Sequence, residues 1–307
     1  MHTLWPLLTG LLITGWFALD GFSIGTAAYL PLLRHDPPAR NRAVAAIGPF
    51  FLAGEVWLIA FAGVLALTFP AAETRLFARL HPVIVTMIAA WLVRDAAMWF
   101  RARRPGPRWR ARWETTMAAA ATTFAASTGL LLGNAIQNGG APLNPYALLT
   151  SLTVVTVFFL HGTAFLTLRT TGESRAHARR TATRAAPLTI TLLALLLGAA
   201  PLTSLTLTPA TFIPGLTGPL AAAAAWLALR RGRDGLTFAA TLVTAASLPL
   251  TAGGLMTGSL PQDVADPGTL ERLAVVALPI VPLLLAAQAL LWWMHRRRVS
   301  ERTVTFF

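Results

Sequence analysis

The stretch ERLAVVALPIVPLLLAAQALLWWM, residues 271–294, runs directly into His295, Arg296, Arg297 and Arg298. A transmembrane helix needs about 20 apolar residues to cross a hydrocarbon core of about 30 Å. This segment supplies them and ends on a tryptophan pair and a basic stop. Eight more stretches of the same character precede it, at about 4–33, 45–69, 81–100, 115–136, 147–168, 186–205, 215–229 and 236–258. The first is no cleavable signal peptide, because it lacks a basic leader, its apolar run is too long and further spans follow it. Composition agrees. Of 307 residues, 55% are hydrophobic and 12% are charged, and the mean hydropathy is +0.61, whereas soluble proteins carry roughly 25% charged residues. So few charges cannot cover that much apolar chain in water. The fold class is therefore an all-α integral membrane protein of about nine transmembrane helices, with residues 1–307 forming one polytopic membrane domain.

The formal charge is +13 and every basic residue is arginine. A basic balance can mark a nucleic-acid partner, but surfaces for nucleic acid are not embedded in long apolar runs, so that class is excluded. The absence of cysteine excludes disulfides, thiolate metal sites and cysteine nucleophiles. The arginines crowd into alternate connections, 34–43, 101–112, 169–184 and 230–234, and into the tail from Arg296 to Arg302. The other connections hold only Arg75, Arg79 and Arg272, and Arg94 falls within a span. Positive connections stay cytoplasmic, so the N-terminus lies outside and the C-terminus inside, which requires an odd number of spans. Contact with anionic membrane lipids follows as a secondary effect of the same arginines. Residues 206–216, with Pro209 and Pro214, read as a broken turn at the outer interface.

An ionisable group inside the bilayer costs at least ~2.5–3.5 kcal/mol and marks function by default. Asp20 lies in the first span, Glu55 in the second, and Arg94 and Asp95 in the third. At ~1.5 Å per residue, Asp20 is roughly 20 Å from the cytoplasmic end of its span and Glu55 roughly 15 Å from that of the next. Antiparallel neighbours then carry the two carboxyls at similar depth, and Gly21 with Gly25 forms a small face for close helix approach. Two carboxyls in a low dielectric resist simultaneous ionisation. They read either as a proton-holding pair or as hydrogen-bonded acids that stitch two helices together. Arg94 can snorkel to the cytoplasmic end or pair with Asp95, Asp20 or Glu55, and structural ion pairing is the favoured role. His161 is the one histidine well inside a span. Without a partner three or four residues away, it reads as a hydrogen-bonding residue before it reads as a haem or metal ligand, and no metal constellation is visible.

Taken in order, these residues resemble subunit II of the cytochrome bd-type quinol oxidases. Asp20-Gly21-Phe22 followed by Gly25 is similar to the family's Asp-Gly-Phe-Asp-x-Gly element. Pro49 and Glu55-Val56-Trp57-Leu58 resemble its Gly-Pro-x-Trp-Asp-Gly-Asn-Glu-Val-Trp-Leu element, closed by Phe69-Pro70. Arg94 and Arg101 keep the spacing of its paired arginines, and Gly133-Asn134 with Gln137-Asn138-Gly139 resembles its Gly-Asn-x-x-Gln-Gly turn. The run from Leu143-Asn144-Pro145 through His161-Gly162 to Arg169, Gly172 and Glu173 is similar to the next helix and its cytoplasmic exit. These matches cover about residues 15–175, with a looser fit beyond.

The resemblance implies two four-helix bundles plus a peripheral helix, in a bacterial cell membrane. It also implies a haem-bearing partner, subunit I, which carries haems b and d, oxidises quinol and reduces dioxygen to water. Subunit II then binds no haem itself, supports assembly and contributes to proton supply, and a bound quinone is compatible with it. Asp20, Glu55 and Ser23 are the proton-transfer candidates. Arg94, Asp95, Arg101, Asn134, Gln137, His161, Arg169 and Glu173 are structural polar or ion-pairing residues, and no residue is catalytic. Two departures bear on protons: the family's second aspartate of Asp-Gly-Phe-Asp is Ser23 here, and the aspartate of its Trp-Asp-Gly-Asn is Leu52. Serine can relay a proton through a hydrogen bond and leucine cannot. The alternatives are a structural paralogue without proton conduction and a secondary transporter, which calls for internal repeats and interrupted helices at matching positions.

Overall fold

The structure, a computed structural model, describes residues 3–137, 141–203, 205, 208–256 and 264–299. Asn138, Gly139, Asp263 and Arg302 lie outside the described residues. The helices are α1 (Leu4–Leu19), α2 (Gly21–Tyr29), α3 (Pro37–Ile47), α4 (Phe51–Thr68), α5 (Pro70–Phe100), α6 (Pro107–Gln137), α7 (Pro145–Arg169), α8 (Gly172–Ala199), α9 (Pro209–Arg230), α10 (Asp234–Met256) and α11 (Pro267–Met294), with short 3-10 turns at Leu30–Leu33 and Ala200–Thr203. Among the described residues, nine helical segments are long and apolar enough to cross a membrane. The first, Leu4–Leu33, joins α1, α2 and a 3-10 turn, and α3 is the one α-helix that takes no part in a span.

Local chemistry sets the ends. Six helices, α3, α5, α6, α7, α9 and α11, begin on proline, whose fixed φ and missing N–H suit the first helical position. Asp36, Asn144 and Asp266 cap α3, α7 and α11 by accepting from backbone N–H groups at 2.9, 2.8 and 3.0 Å. The side chain and backbone of Thr269 hold the exposed Asp266 carboxyl below the ordinary carboxylate range. The apolar stretch read from residue 45 is divided in the structure: 45–47 close α3, and α4 starts at Phe51, beyond Gly48 and Pro49. The stretch read from 81 belongs to a longer helix. α5 starts at Pro70 and kinks at Leu80 (φ −112°, ψ 19°), where Pro82 interrupts the hydrogen-bond ladder.

Of residues 206–216, read as a broken turn, 206 and 207 lie outside the described residues and 209–216 are helical, since α9 runs unbroken through Pro214 and Pro219. Only one ladder bond is lost at each internal proline, and α9 makes its most extensive contacts along α10. There Gly254 brings the α10 backbone against the carbonyl of Ala210. In a membrane, burial against a neighbouring helix decides where a proline-bearing segment stays helical.

α1 and α2 pack with α4, α5 and α6 as one bundle, and α7 to α10 form the second. α7 is the seam, contacting α2, α6, α8 and α10 and burying the largest share of its length. α11 is peripheral, lies along α4 and is the least buried span. The arginine-rich connections meet at one end of the molecule. Arg42 donates to Ser174 at 2.8 Å, and Asp234 accepts from Arg175 at 2.7 Å and from Arg298 at 3.1 Å. The tail is held there by Val299 N donating to the Arg169 carbonyl at 2.7 Å.

Candidate functional site

The first span breaks at Asp20, between α1 and α2. Its carboxyl is fully buried and accepts from the indole of Trp16 at 3.1 Å and from the hydroxyl of Ser23. Trp16 and Ser23 are four residues before and three after Asp20, so one helix face presents all three. On α4, Gly54 meets Asp20 directly: a Cβ at position 54 would lie 2.6 Å from the Cβ of Asp20. Only glycine lets α4 come this close, and the approach brings Glu55 beside Asp20.

Arg94 reaches this point from α5. Its guanidinium contacts Glu55, donates from Nε to Asp95 Oδ1 at 3.0 Å and stands 3.6 Å from Asp20 Oδ2. The ring of Phe124 lies 5.4 Å away. Arg94 is 4% exposed, so it does not snorkel to the membrane surface. Each acid considered as its partner is engaged. The step of about 100° between adjacent helical residues does not separate Arg94 from Asp95, because the arginine stem bends back to bring Nε to its neighbour. One guanidinium thus faces three carboxyls and can balance one of them. Of the three, Asp20 and Glu55 are buried and Asp95 is partly exposed.

Ser23 sits inside this cluster, whereas Leu52 is 51% exposed and shares an outward apolar stripe with Val56 and Ile59. Leu52 therefore adds an outward apolar side chain and no polar group to the interior.

The other polar residues singled out by sequence lie elsewhere. Arg101 donates to Glu114 and to Asn41, both at 2.7 Å, and Arg40 closes on the second oxygen of Glu114, tying α3, α5 and α6 together. Asn134 donates to the carbonyls of Leu130 and Pro142 at 2.9 and 2.8 Å and accepts from Asn144 at 3.1 Å. Its carbonyl accepts from Arg79 at 2.6 Å. Gln137, half-buried, closes α6. Arg169 stands 5.6 Å over the ring of Phe50. Glu173 is exposed on the first turn of α8, where a negative charge suits the helix dipole.

His161 is fully buried between aromatic rings, 5.0 Å from Phe238 and 5.7 Å from Phe22. Nε2 donates to the carbonyl of Ala18 at 3.0 Å, and Nδ1 pairs with the hydroxyl of Thr241 at 2.9 Å. With both ring nitrogens engaged, its surroundings do not fit a ligand of haem iron. Among the described residues no three His, Asp or Glu side chains converge as metal ligands would. The apolar cavity among α6 to α10, lined by Leu132, Ile136, Leu196 and Leu248, holds about 30 Å³. That is room for about one water, and it does not fit a quinone ring.

Trp16, Gly54, Glu114 and Asp234 escaped the sequence reading. Trp16 was findable at four residues from Asp20, and Glu114 as the one acid in an arginine-dense run. Gly54 and Asp234 carry no local signal, because their partners come from other helices.

The family described as cytochrome bd terminal oxidase subunit II matches residues 1–295. Cytochrome bd ubiquinol oxidase subunit 2 of Bacillus subtilis is 27% identical, over 98% of both chains. Cytochrome bd-I ubiquinol oxidase subunit 2 of Escherichia coli is 26% identical, over 64% of this chain and 56% of its own length. In fold, the chain is similar to the bd oxidase from Geobacillus thermodenitrificans, with a TM-score of 0.76, 18% identity, and 95% and 98% of the two chains covered.

Proposed function

The chain belongs to the cytochrome bd terminal oxidase subunit II family, and from that premise we propose that it binds no haem, supports assembly with a haem-bearing subunit I, and holds protons at Asp20 and Glu55 with Ser23 as a relay. The named activity of its relatives, ubiquinol oxidation, belongs to the whole complex. Haems held by subunit I would supply the redox chemistry that reduces dioxygen to water, a reaction that takes up protons. The observation that carries the proposal is the burial of two carboxyls, Asp20 and Glu55, around the guanidinium of Arg94, with the partly exposed Asp95 as its third partner. Arg94 fixes the carboxyls in position, Trp16 and Ser23 orient Asp20, and the surrounding helices exclude water. The Ser23 hydroxyl touches Asp20 Oδ1 and can pass its hydrogen to that atom while accepting another. Protons therefore have two carboxyl stations without the aspartate that Leu52 replaces. The haem-free role is supported by His161, whose two nitrogens are both occupied.

Glu55→Gln keeps shape and hydrogen bonding but removes ionisation. In the assembled oxidase it is expected to leave haem content intact and slow oxygen consumption by about tenfold, or roughly 1.4 kcal/mol on the barrier. Wild-type turnover in an assembled Glu55→Gln complex would make the cluster a purely structural ion network.

Orientation is the other part of the proposal: N-terminus outside, C-terminus in the cytoplasm. It is supported by the meeting of the arginine-rich connections at one end of the molecule. A reporter fused after Arg104 or Arg180 is expected to read cytoplasmic, and one fused at Leu143 external. The reverse pattern would invert the topology.

A further inference from the structure

At the arginine-rich end, α8 and α9 enclose an open pocket of about 450 Å³. Arg175, Arg179, Arg180, Arg184 and Arg230 line it, with Thr183 between them and Leu229 on its wall. No carboxylate is among its described lining residues. The nearest acids are Asp234, which is shared between Arg175 and Arg298, and the exposed Glu173 one residue beyond Gly172. Two of the five guanidiniums are held in place. Arg179 donates from Nε to the Leu229 carbonyl at 2.7 Å and from Nη2 to the Arg230 carbonyl at 3.2 Å, while Arg175 is tethered by Nε to Asp234 at 2.7 Å. Five like charges around one opening repel each other, and nothing in the assembly role or in the proton cluster uses them.

The pocket lies where the helices enter the apolar layer. Arg230 stands 5.1 Å over the ring of Trp226, which packs against Ala182, Ala186 and Leu229 beneath the pocket. On the membrane side of the pocket the surface turns apolar. Leu188, one turn after Arg184 on α8, is 53% exposed, and Leu227, one turn before Arg230 on α9, is 45% exposed. An anionic group at the top and aliphatic surface directly below it match an amphiphile better than a soluble ion.

We propose that this pocket binds the phosphate headgroup of an anionic phospholipid, whose acyl chains run down between α8 and α9 over Leu188 and Leu227. Guanidinium forks pair with phosphate oxygens in two-point contacts, and a headgroup with two phosphates, as in diphosphatidylglycerol, best offsets five cations. The bound lipid relieves the repulsion between α8 and α9 and fixes their ends.

The test uses the complete oxidase in mild detergent, with native mass spectrometry for retained lipid and thermal melting for stability. Arg180, Arg184 and Arg230 are exposed, so the triple variant Arg180→Gln, Arg184→Gln, Arg230→Gln removes charge without disturbing the interior, and haem content reports assembly. Wild type is expected to retain anionic phospholipid and to melt higher on addition of diphosphatidylglycerol, but not of phosphatidylcholine. The triple variant is expected to bind at least about tenfold more weakly, since each arginine near a membrane surface contributes to anionic-lipid attraction. Equal lipid retention by wild type and the triple variant would overturn the proposal. Stabilisation of wild type by inorganic phosphate equal to that by the lipid would also overturn it, identifying a soluble-anion site.

Discussion

Arg94→Met is expected to abolish accumulation of the assembled oxidase. The substitution keeps much of the side-chain volume but withdraws the one cation that faces Asp20, Glu55 and Asp95. Removing one partner of a buried pair costs about 3–5 kcal/mol, a large share of the roughly 5–15 kcal/mol that holds a protein folded. Here a single deletion leaves two buried acids, Asp20 and Glu55, without their cation. Arg94→Lys should recover only part of the loss, because an ammonium is a point charge and cannot serve partners on both Nε and the terminal nitrogens. Membrane content of both subunits and haem absorbance per milligram of membrane would check this. Adding Asp20→Asn and Glu55→Gln to Arg94→Met should restore a measurable fraction, since the two buried acids are then neutral and only the partly exposed Asp95 remains. Wild-type levels in Arg94→Met alone would refute a central role for the ion cluster in folding.

Gly162→Leu is expected to be as damaging by a different route. α2 and α7 cross backbone to backbone at Gly25 and Gly162. A Cβ at 162 would overlap the backbone of Gly25 and Thr26, and a Cβ at 25 would overlap the Phe158 carbonyl. The obstacle is main chain, so no rotamer change relieves it and the helices must move apart. The Thr26 hydroxyl would lose its 3.2 Å bond to the Gly162 carbonyl, and the His161 contacts with Ala18 and Phe22 would loosen. Overpacking costs about 1–3 kcal/mol where side chains can adjust, and more is expected here. Gly10→Ala is the contrast, since nothing lies within 4 Å of a Cβ there. Alanine favours the helix interior over glycine by about 0.5–1 kcal/mol, so that variant should match wild type or melt slightly higher. Comparable melting temperatures for the Gly162 and Gly10 variants would contradict the backbone-contact geometry.

The sequence by itself determined which segments span the membrane, because the length of an apolar run is a property of one stretch of chain against a slab of fixed thickness. The arginine distribution likewise assigned the connections to two faces, and the charged ends do meet on one side in the fold. Counting residues also put Asp20 and Glu55 at similar depth, since rise per residue is fixed within a helix. Which way each side chain turns was not available locally. Arg94 had three possible acids and an exit to the surface, and the choice fell to the rotation and tilt of α1, α4 and α5. Those are set by contacts such as Gly54 against Asp20 and Gly25 against Gly162, whose members lie on different helices. The same holds for Asp234, which pairs with Arg175 and Arg298 far along the chain, and for residues 209–216, kept helical by packing on α10 despite Pro214. Hydrophobic length is decided one segment at a time, whereas the partner of a buried charge is decided only where several helices meet, in a medium that offers it no water instead.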